Sequence, residues 1–249
     1  NSAKPAASTS IEPSFSKDFL AVEICSGSGR LSKAFVDSGA RALGIDHSFN
    51  KQAPEVLTLS VDLSDVEQQG LAWAWIKHPS TRFVGMAPPC GTASRIRGRP
   101  PGPPPLRSQA HPCGLPDLSG KDRVRVDKAN AIYLFVTEVA EYCTAHGILW
   151  FIENPINSLM WEIDLFKALL MHESVIDVLY DACMWGGCRR KGQRLRTNIY
   201  ALRNMAVRCD DSHPHAPWIS VEGGRHDFHT AAEATYPYKF CYTIVEYVF

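Results

Sequence analysis

The chain has 249 residues, of which 45% are apolar, and its formal net charge at pH 7 is zero. This length allows one large core, so we expect a single domain over residues 18–249. With zero net charge, the molecule as a whole has no electrostatic attraction to nucleic acid or to membranes. No apolar run approaches the roughly 18 residues that a membrane span needs, and residues 1–17, rich in Ser, Ala and Pro, are predicted to be disordered.

The eight cysteines fall at irregular spacings. Small secreted domains use regular cysteine frameworks as disulfides, whereas free thiols are typical of reducing compartments. We therefore expect an intracellular protein, nuclear if the organism is eukaryotic, and favour a monomer.

The first predicted unit is a strand, a glycine-containing loop and a helix. Phe19–Ile24 has the apolar composition of a buried strand, Cys25–Gly29 forms the loop, and Arg30–Ser38 has helical spacing that ends at Gly39. Glycines in such a loop let a ligand approach the backbone, although tight strand-to-helix turns also need glycine for steric reasons.

The next two predicted strands each end in an acid. Arg41–Ile45 is followed by Asp46, which lies 23 residues after Glu23. An acid at this distance suits the paired hydroxyls of a ribose. A third strand, Val56–Val61, ends in Asp62. Solubility alone does not explain an acid at or near the end of three consecutive strands.

The fourth predicted strand delivers a cysteine. Its apolar run, Phe83–Ala87, stops at Pro88 and Pro89, which cannot continue a ladder of hydrogen bonds, so Cys90 lies at the strand's carboxyl end. Ligands bind at this edge in open α/β sheets. A buried structural cysteine beside a proline turn is the alternative interpretation.

A long Pro-, Gly- and Arg-rich segment follows, Gly91–Gly120, which we interpret as an active-site loop or lid, with a plain insertion as the alternative. Asp122–His146 is predicted to be a helix. The fifth strand, Ile148–Ile152, then delivers Glu153 and Asn154. An acid again stands at the carboxyl edge.

The remaining chain is predicted to contain a helix at Leu159–Met171 and strands at Val175–Tyr180 and Asn198–Leu202. Residues 204–228 are predicted to be irregular, followed by a helical stretch at Thr230–Ala234. Strands that alternate with helices predict an α/β fold with a mostly parallel seven-stranded sheet and helices on both faces. The basic residues between the last two strands are Arg189, Arg190, Lys191, Arg194 and Arg196.

Taken in order, these residues resemble the motifs of the DNA cytosine-5 methyltransferase family. That family has a glycine motif, two acids, a Pro-Cys nucleophile, a Glu-Asn pair and an Arg-x-Arg motif in the same sequence order. The resemblance runs from about Phe19 to the end, and Phe228–Ala234 with Tyr236-Pro237 is similar to the family's late Thr-x-x-Glu-Ala segment. The motif residues here are Glu23, Gly27, Gly29, Asp46, Asp62, Pro89, Cys90, Glu153, Asn154, Arg194 and Arg196.

The resemblance implies a Rossmann-like class I methyltransferase domain that uses S-adenosylmethionine as methyl donor. In that reading Glu23 lies near the cationic end of the cofactor, Asp46 holds the ribose and Asp62 meets the adenine with Leu63. The other implied cofactor-binding residues are Ile24, Cys25, Gly27, Gly29, His47 and Pro88.

The same resemblance assigns the chemistry. The Cys90 thiolate adds to C6 of cytosine and turns C5 into a nucleophile, while Glu153, with a raised pKa, supplies a proton or strong hydrogen bond at N3. Arg194 or Arg196 orients the thiolate or the base, and the base leaves the duplex to react. The implied substrate-binding residues are Pro89, Ser94, Arg95, Arg97 and Asn154.

The chain departs from the family pattern at several positions. Cys25 stands where the family has Phe, Arg30 replaces the third glycine, and Gly91 replaces the Gln after the nucleophile. The region available for target recognition, 204–228, is short, so we expect the protein to read little sequence.

We predict DNA as the substrate, with RNA as the alternative for the same chemistry. Dedicated RNA cytosine-5 enzymes carry a second catalytic cysteine where this chain has Glu153-Asn154, and amino-group methylation requires Asn/Asp-Pro-Pro-aromatic rather than Ala87-Pro88-Pro89-Cys90. A weakened fold that binds nucleic acid or cofactor without turnover is a further alternative.

Local charge favours a polyanionic partner. Residues 91–128 hold eight Lys/Arg against three Asp/Glu, and residues 183–208 hold seven against none. Both segments flank the predicted catalytic residues, so we expect phosphate contacts there. A solvated surface is the alternative for any single arginine.

A group of potential metal ligands stands apart from these motifs: Cys209, His213 and His215, with Cys183 and Cys188 upstream. Zinc takes Cys and His ligands, but the Cys-x-x-Cys pair usual in structural sites is absent. We therefore assign no metal and interpret residues 213–218 as a turn-rich loop near the substrate.

Overall fold

The computed structural model describes residues 18–98, 100, 102–222, 225–228 and 232–249, with the side chains of 220–222, 225–228 and 232 left aside. The predicted tail, 1–17, lies outside them. So do positions 99 and 101 of the long loop, 223–224 of the short recognition region and 229–231 of the late segment.

A seven-stranded sheet forms the centre of the described chain. Its strands are β1 Leu20–Ile24, β2 Arg41–Asp46, β3 Thr58–Ser60, β4 Thr81–Met86, β5 Leu149–Pro155, β6 Ile176–Asp181 and β7 Gly192–Thr197. They lie in the order β3-β2-β1-β4-β5-β7-β6, and β7 runs antiparallel to both of its neighbours while the other described pairings are parallel. The mostly parallel, Rossmann-like α/β sheet predicted from the sequence is confirmed.

Helices cover both faces of this sheet, as predicted. One layer contains α1 Arg30–Asp37 and α5 Tyr238–Val248, and the other contains α2 Val66–Ile76, α3 Gly120–Ala145 and α4 Asp164–Leu169. Successive strand residues point to opposite faces, so Val84 packs under α3 while Phe83 packs under α1. The strands are therefore buried on both sides, which explains their nearly continuous apolar runs.

The seventh strand was wrongly placed by the sequence pattern. Strand β7 covers Gly192–Thr197, whereas Tyr200–Met205 forms a 3-10 helix instead of the predicted strand. Asn198 marks the end of the strand, because its side chain accepts from Trp150 N at 2.8 Å and donates to Ile148 O at 2.9 Å. The sequence of β7 contains two arginines and so lacks the apolar run by which the other central strands were predicted.

Three further differences concern elements around the sheet. Helix α2 had no prediction, and Leu159–Met171 is a 3-10 helix at Leu159–Glu162 followed by the short α4. The recognition region contains a two-stranded hairpin, β8 Ile219–Glu222 and β9 Arg225–Phe228. Among the described residues, no helix is long and apolar enough to cross a membrane.

Candidate active site

A cavity of about 360 Å³ opens at the carboxyl edge of the sheet. Its walls come from the loop after β1, the ends of β4 and β5, the start of β7 and the segment before α5. The carboxyl ends of parallel strands converge at one edge. Residues predicted from three separate strand ends, Cys25, Cys90 and Glu153, therefore line the same space.

The backbone before the cysteine is fixed from two directions. Asn154 Nδ2 donates to the carbonyl of Pro88 at 2.8 Å, and the Tyr133 hydroxyl donates to the carbonyl of Pro89 at 2.7 Å. These carbonyls follow the end of β4 and have no ladder partner, so side chains take that place. Cys90 is consequently held, half-buried, in the cavity wall.

Burial raises the pKa of the Cys90 thiol, while the Lys191 ammonium lowers that pKa and the Glu153 carboxylate raises it. A buried thiolate loses hydration, and a nearby cation compensates part of that loss. The thiol is therefore protonated in the free protein, and Lys191 is the group that favours its ionised form.

Glu153 offers an unsatisfied carboxyl oxygen. Its Oε2 accepts from the Tyr236 hydroxyl at 3.2 Å, whereas its Oε1 is buried and has no hydrogen-bond partner among the described residues. Burial raises the pKa of this carboxyl, and Lys191 and the Tyr236 hydrogen bond oppose that rise. A carboxyl group of this kind is suited to hold a proton and donate it to a ligand.

Two more buried acceptors around this cavity lack partners in the described part of the chain. They are Asn154 Oδ1 and Gln193 Oε1, and both residues line the cavity. An unsatisfied buried polar group costs about 1–3 kcal/mol and is rare in native proteins. The two amide oxygens indicate a ligand that donates hydrogen bonds, and Glu153 Oε1 adds a third unpartnered oxygen beside them.

Arg194 and Arg196 do not line this cavity, and their predicted catalytic role stays a prediction. On β7 alternate residues face opposite sides, so Gln193 faces the cavity while both arginines lie on the other face. Arg196 is almost completely buried and forms a two-pronged ion pair with Asp177 at 2.8 Å, and Arg194 reaches the same carboxylate at 3.2 Å. The basic residue of this region that lines the cavity is Lys191, which directly precedes β7.

A stability measurement distinguishes this structural pairing from catalysis. Asp177→Ala leaves the Arg196 guanidinium buried without its carboxylate, and removal of one partner from a buried pair costs about 3–5 kcal/mol. We expect urea denaturation to show a loss of this size. The control, Asp164→Ala, removes a fully solvated partner of Lys167 and should change stability by less than about 0.5 kcal/mol. An Asp177→Ala protein as stable as this control would contradict the assignment.

The glycine loop leaves its backbone open to a ligand. Cys25 and Gly27 adopt left-handed conformations with φ of 56° and 54°, and a Cβ added at Gly27 would meet no atom within 4 Å. Gly27 N donates to Asp46 Oδ2 at 2.6 Å, and Asn50 Nδ2 donates to Gly27 O at 2.7 Å. Gly29 is required for packing instead, because its Cβ would lie 2.9 Å from Val56 Cγ2.

Glu23 lies beneath this loop and not in the cavity wall. Its Oε2 accepts from Ser32 N at 2.8 Å and from Ser32 Oγ at 2.7 Å, which ties β1 to the first turn of α1. Burial raises its pKa from 4.5 to about 7, and the Ser32 hydrogen bonds oppose that rise. The structure thus gives Glu23 an internal hydrogen-bonding role, and its predicted contact with the cationic end of a cofactor stays a prediction.

The raised pKa of Glu23 predicts a pH-dependent stability. The folded protein binds this proton more tightly than the unfolded chain, so the stabilisation is complete below about pH 4.5 and is lost as pH rises through about 7. The difference corresponds to about 3 kcal/mol at 1.36 kcal/mol per pKa unit. Glu23→Gln keeps an acceptor for Ser32 and should lack this decline. Unfolding free energies of both proteins from pH 5 to pH 8 test it, and parallel curves would refute it.

Several other predicted residues lie outside the cavity wall. Ile24 and Leu63 belong to the core, and His47 is exposed. Asp62 accepts from Ser64 Oγ at 2.6 Å and from Lys128 Nζ at 3.2 Å, contacts that lower its pKa. Their places at strand ends are as predicted, but only Cys25, Gly27 and Pro88 of the implied cofactor residues line the cavity itself.

The long segment 91–120 packs against the domain through a buried arginine. Arg107 donates to Thr92 Oγ1 at 3.0 Å and to Asn130 Oδ1 on α3 at 2.7 Å. The predicted substrate residues Arg95 and Arg97 donate to backbone carbonyls, of Asn157 at 3.0 Å and of Pro104 at 2.9 Å. Ser94 Oγ accepts from Ile96 N at 3.3 Å. None of these three lines the cavity.

Much of the positive charge in residues 183–208 is paired with carboxylates of the protein itself. Arg189 pairs with Glu233 at 2.8 Å with both side chains nearly buried, Arg190 pairs with Asp211, and Arg208 pairs with Asp181 at 3.2 Å. Together with the Asp177 pairs, these contacts leave this segment less cationic than its composition suggests. The phosphate-binding surface expected there stays a prediction, with less unpaired positive charge to support it than the composition suggests.

The cavity also contains residues that the sequence did not single out for this role. Lys191 directly precedes β7 and Gln193 is its second residue, Tyr236 precedes α5, and Asn50 follows β2. Correct placement of β7 at Gly192–Thr197 would have revealed Gln193 through the two-residue period. The side chains of Tyr236 and Asn50 carry no comparable local signal.

The mostly parallel sheet with its one reversed strand, and the cavity at its carboxyl edge, define a Rossmann-like α/β domain with a ligand cavity at the switch point of the sheet. No protein-family model and no curated protein matches the chain. Among solved structures it is similar to a DNMT2 triple mutant from Spodoptera frugiperda, with 17% identity and a TM-score of 0.42. The match covers 72% of this chain and 49% of the other, so the chain spans about half that protein's length. This slight likeness assigns neither activity nor substrate.

Proposed function

We propose that the protein transfers a methyl group from S-adenosylmethionine to C5 of cytosine in DNA, through a covalent bond between Cys90 and a flipped base. The observation that carries the proposal is the meeting of a thiol, a carboxyl with an unsatisfied oxygen and an ammonium in one cavity: Cys90, Glu153 and Lys191. That cavity also reaches the open backbone at Gly27.

The cofactor side of the cavity is the loop after β1. Gly27 leaves room for a ligand beside its backbone, Cys25 and Pro88 line the adjoining wall, and Asp46 holds the loop from behind. These features fit a nucleoside-containing cofactor at the switch point between β1 and β4. S-adenosylmethionine supplies an electrophilic methyl group when bound there.

Cys90 makes the base reactive. Its thiolate forms a bond to C6, and the displaced electron pair makes C5 nucleophilic. After C5 is methylated, loss of the C5 proton to a base and departure of the thiolate from C6 restore the aromatic ring. Lys191 favours the thiolate, because its positive charge lowers the Cys90 pKa against the effect of burial.

Glu153 supports the same step from the other side of the ring. In its protonated form the carboxyl donates a hydrogen bond to N3, which draws electron density away from C6 and stabilises the adduct. The unpartnered oxygens of Asn154 and Gln193 are acceptors for an exocyclic amino group, which cytosine carries at C4. The site thus offers both a donor and acceptors to the Watson–Crick edge of one base.

A base can reach these groups only after it leaves a helix. Cys90 and Glu153 lie within the cavity wall and not on a flat surface, and a stacked base shields the ring face that a thiolate must attack. The cavity admits a single base from DNA or from RNA, so the polymer is decided by contacts outside it.

Methyl transfer from labelled S-adenosylmethionine, measured on duplex DNA and on RNA in parallel, tests this proposal. We expect label in DNA, and nucleoside mass spectrometry should identify 5-methylcytosine. Label in RNA alone would replace the proposed substrate with the alternative one. Cofactor binding without transfer to either polymer would indicate a binding module and reject the enzymatic proposal.

A further inference from the structure

Four metal-ligand side chains meet beside the active-site cavity but not in its wall. Cys183 lies in the 3-10 helix Ala182–Trp185, directly after β6. Cys209, His213 and His215 come from the loop that follows the 3-10 helix at Tyr200–Met205. The sequence argued against a metal because it lacks a Cys-x-x-Cys pair. The fold supplies the second thiol from a distant part of the chain instead.

The distances fit one tetrahedral ion. The four potential ligand atoms all lie within 4.8 Å of one another. Cys209 Sγ is 3.4 Å from His215 Nε2 and 3.8 Å from His213 Nε2. Zn–S bonds of about 2.3 Å and Zn–N bonds of about 2.0–2.1 Å at a tetrahedral angle place sulfur and nitrogen about 3.6 Å apart. The observed separations lie on either side of this value.

The surroundings of the cluster hold these ligands in place. The buried Asp181 carboxylate accepts from Cys209 N at 2.9 Å, which anchors the loop to the end of β6. Further along, Ala216 N donates to Cys188 O at 2.9 Å and Arg189 Nε donates to Pro217 O at 2.7 Å. Asp211 N donates to Cys209 Sγ at 3.3 Å, and the Asp211 carboxylate lies 3.9 Å from His215 Nδ1, which is beyond hydrogen-bonding distance.

We propose that Cys183, Cys209, His213 and His215 bind one structural zinc ion. Two thiolates and two neutral imidazoles form a closed Cys₂His₂ set, the composition typical of structural rather than catalytic zinc, which keeps an open position. Two thiolates also neutralise the charge of Zn²⁺. None of the four residues lines the active-site cavity.

The ion would fasten the loop 209–217 to the sheet next to the active site. Ala182 and Trp185, which flank Cys183 in the 3-10 helix, line the cavity, and so does Lys191. The loop also begins the short recognition region predicted at 204–228. Zinc would therefore stabilise one wall of the cavity without taking part in the chemistry.

Metal analysis of the purified protein tests the proposal. We expect about one equivalent of zinc in the wild type and retention of it in two controls, Cys113→Ser and His172→Ala, whose side chains are exposed and outside the cluster. Cys209→Ser and His215→Ala should each lose most of the metal. Cobalt substitution of the wild type should give the strong visible and charge-transfer absorption of a tetrahedral dithiolate site.

The cobalt spectrum decides the matter even if Cys209→Ser fails to fold, because it uses the wild-type protein. A weak octahedral spectrum would overturn the proposal. So would zinc below about a tenth of an equivalent in protein purified under reducing conditions, full zinc in Cys209→Ser, or a disulfide between Cys183 and Cys209 in place of the metal.

Discussion

Replacing Cys90 with serine should lower the rate of methyl transfer at least about a thousandfold, because a serine hydroxyl stays protonated beside Lys191 and cannot add to C6. The change replaces sulfur with the smaller oxygen in a half-buried side chain, and Asn154 and Tyr133 fix the backbone just before it. Cofactor affinity and stability should therefore remain close to wild type. Steady-state rates with labelled cofactor and calorimetric binding measure the two effects separately.

Cys113→Ser is the matched control for this experiment, since Cys113 is an exposed free cysteine on the segment after Cys90 and lies outside the cavity. It should keep wild-type activity. A Cys90→Ser protein within about tenfold of wild type would exclude the thiol as nucleophile, because removal of a nucleophile costs far more than that.

The second large effect is expected at Glu153. Glu153→Gln keeps the shape of the side chain but cannot transfer a proton to N3, so methyl transfer should fall by about 10²–10⁴-fold. The control is Glu141→Gln, an exposed position on α3, which should leave the rate unchanged. A rate for Glu153→Gln equal to that of this control would remove the carboxyl from the mechanism.

The role of Glu153 also predicts the direction in which activity changes with pH. Burial raises the Glu153 pKa, and activity should fall as pH rises through that value because the protonated carboxyl is lost. The Tyr236 hydroxyl lowers this pKa through its hydrogen bond. Tyr236→Phe should therefore move the alkaline fall to higher pH, whereas Glu153→Gln should lack it. A shift toward lower pH in Tyr236→Phe would contradict the assigned contact.

The sequence predicted the parts of the fold that depend on local patterns. Buried parallel strands are largely apolar, and the apolar run of β4 ends before Pro88 while β5 ends at Pro155. Because such ends share one edge, the placement of Cys90 and Glu153 around a common cavity could be inferred before the structure.

The sequence was least informative where contacts between distant parts of the chain decide the outcome. Strand β7 contains Arg194 and Arg196, which suit solvent until Asp177 on β6 supplies their counter-charge. Its strand character was therefore hidden, and its arginines were assigned to catalysis. Glu23 was likewise assigned to a cofactor, because its contact with Ser32 exists only once α1 packs on β1.

The net charge of residues 183–208 and the metal-ligand cluster also depend on contacts between residues distant in sequence. Arg189 and Glu233 lie far apart in sequence but form a nearly buried ion pair. A count of charges in residues 183–208 alone therefore overstates the positive charge of that segment. Cys183 and Cys209 are also distant in sequence. They come together because β6 ends beside the loop that follows the 3-10 helix Tyr200–Met205. Spacing rules detect metal ligands on one short segment, and this cluster is assembled from two.

The most direct test of the central claim is covalent trapping with duplex DNA that carries 5-fluorocytosine, in the presence of S-adenosylmethionine. With fluorine in place of hydrogen at C5, a base has no proton to remove after methylation. The thiolate therefore cannot depart from C6, and the complex persists. We predict a denaturant-stable protein–DNA adduct that peptide mapping locates on Cys90. The absence of any adduct with cofactor-saturated protein, or an adduct on another cysteine, would contradict the proposed mechanism.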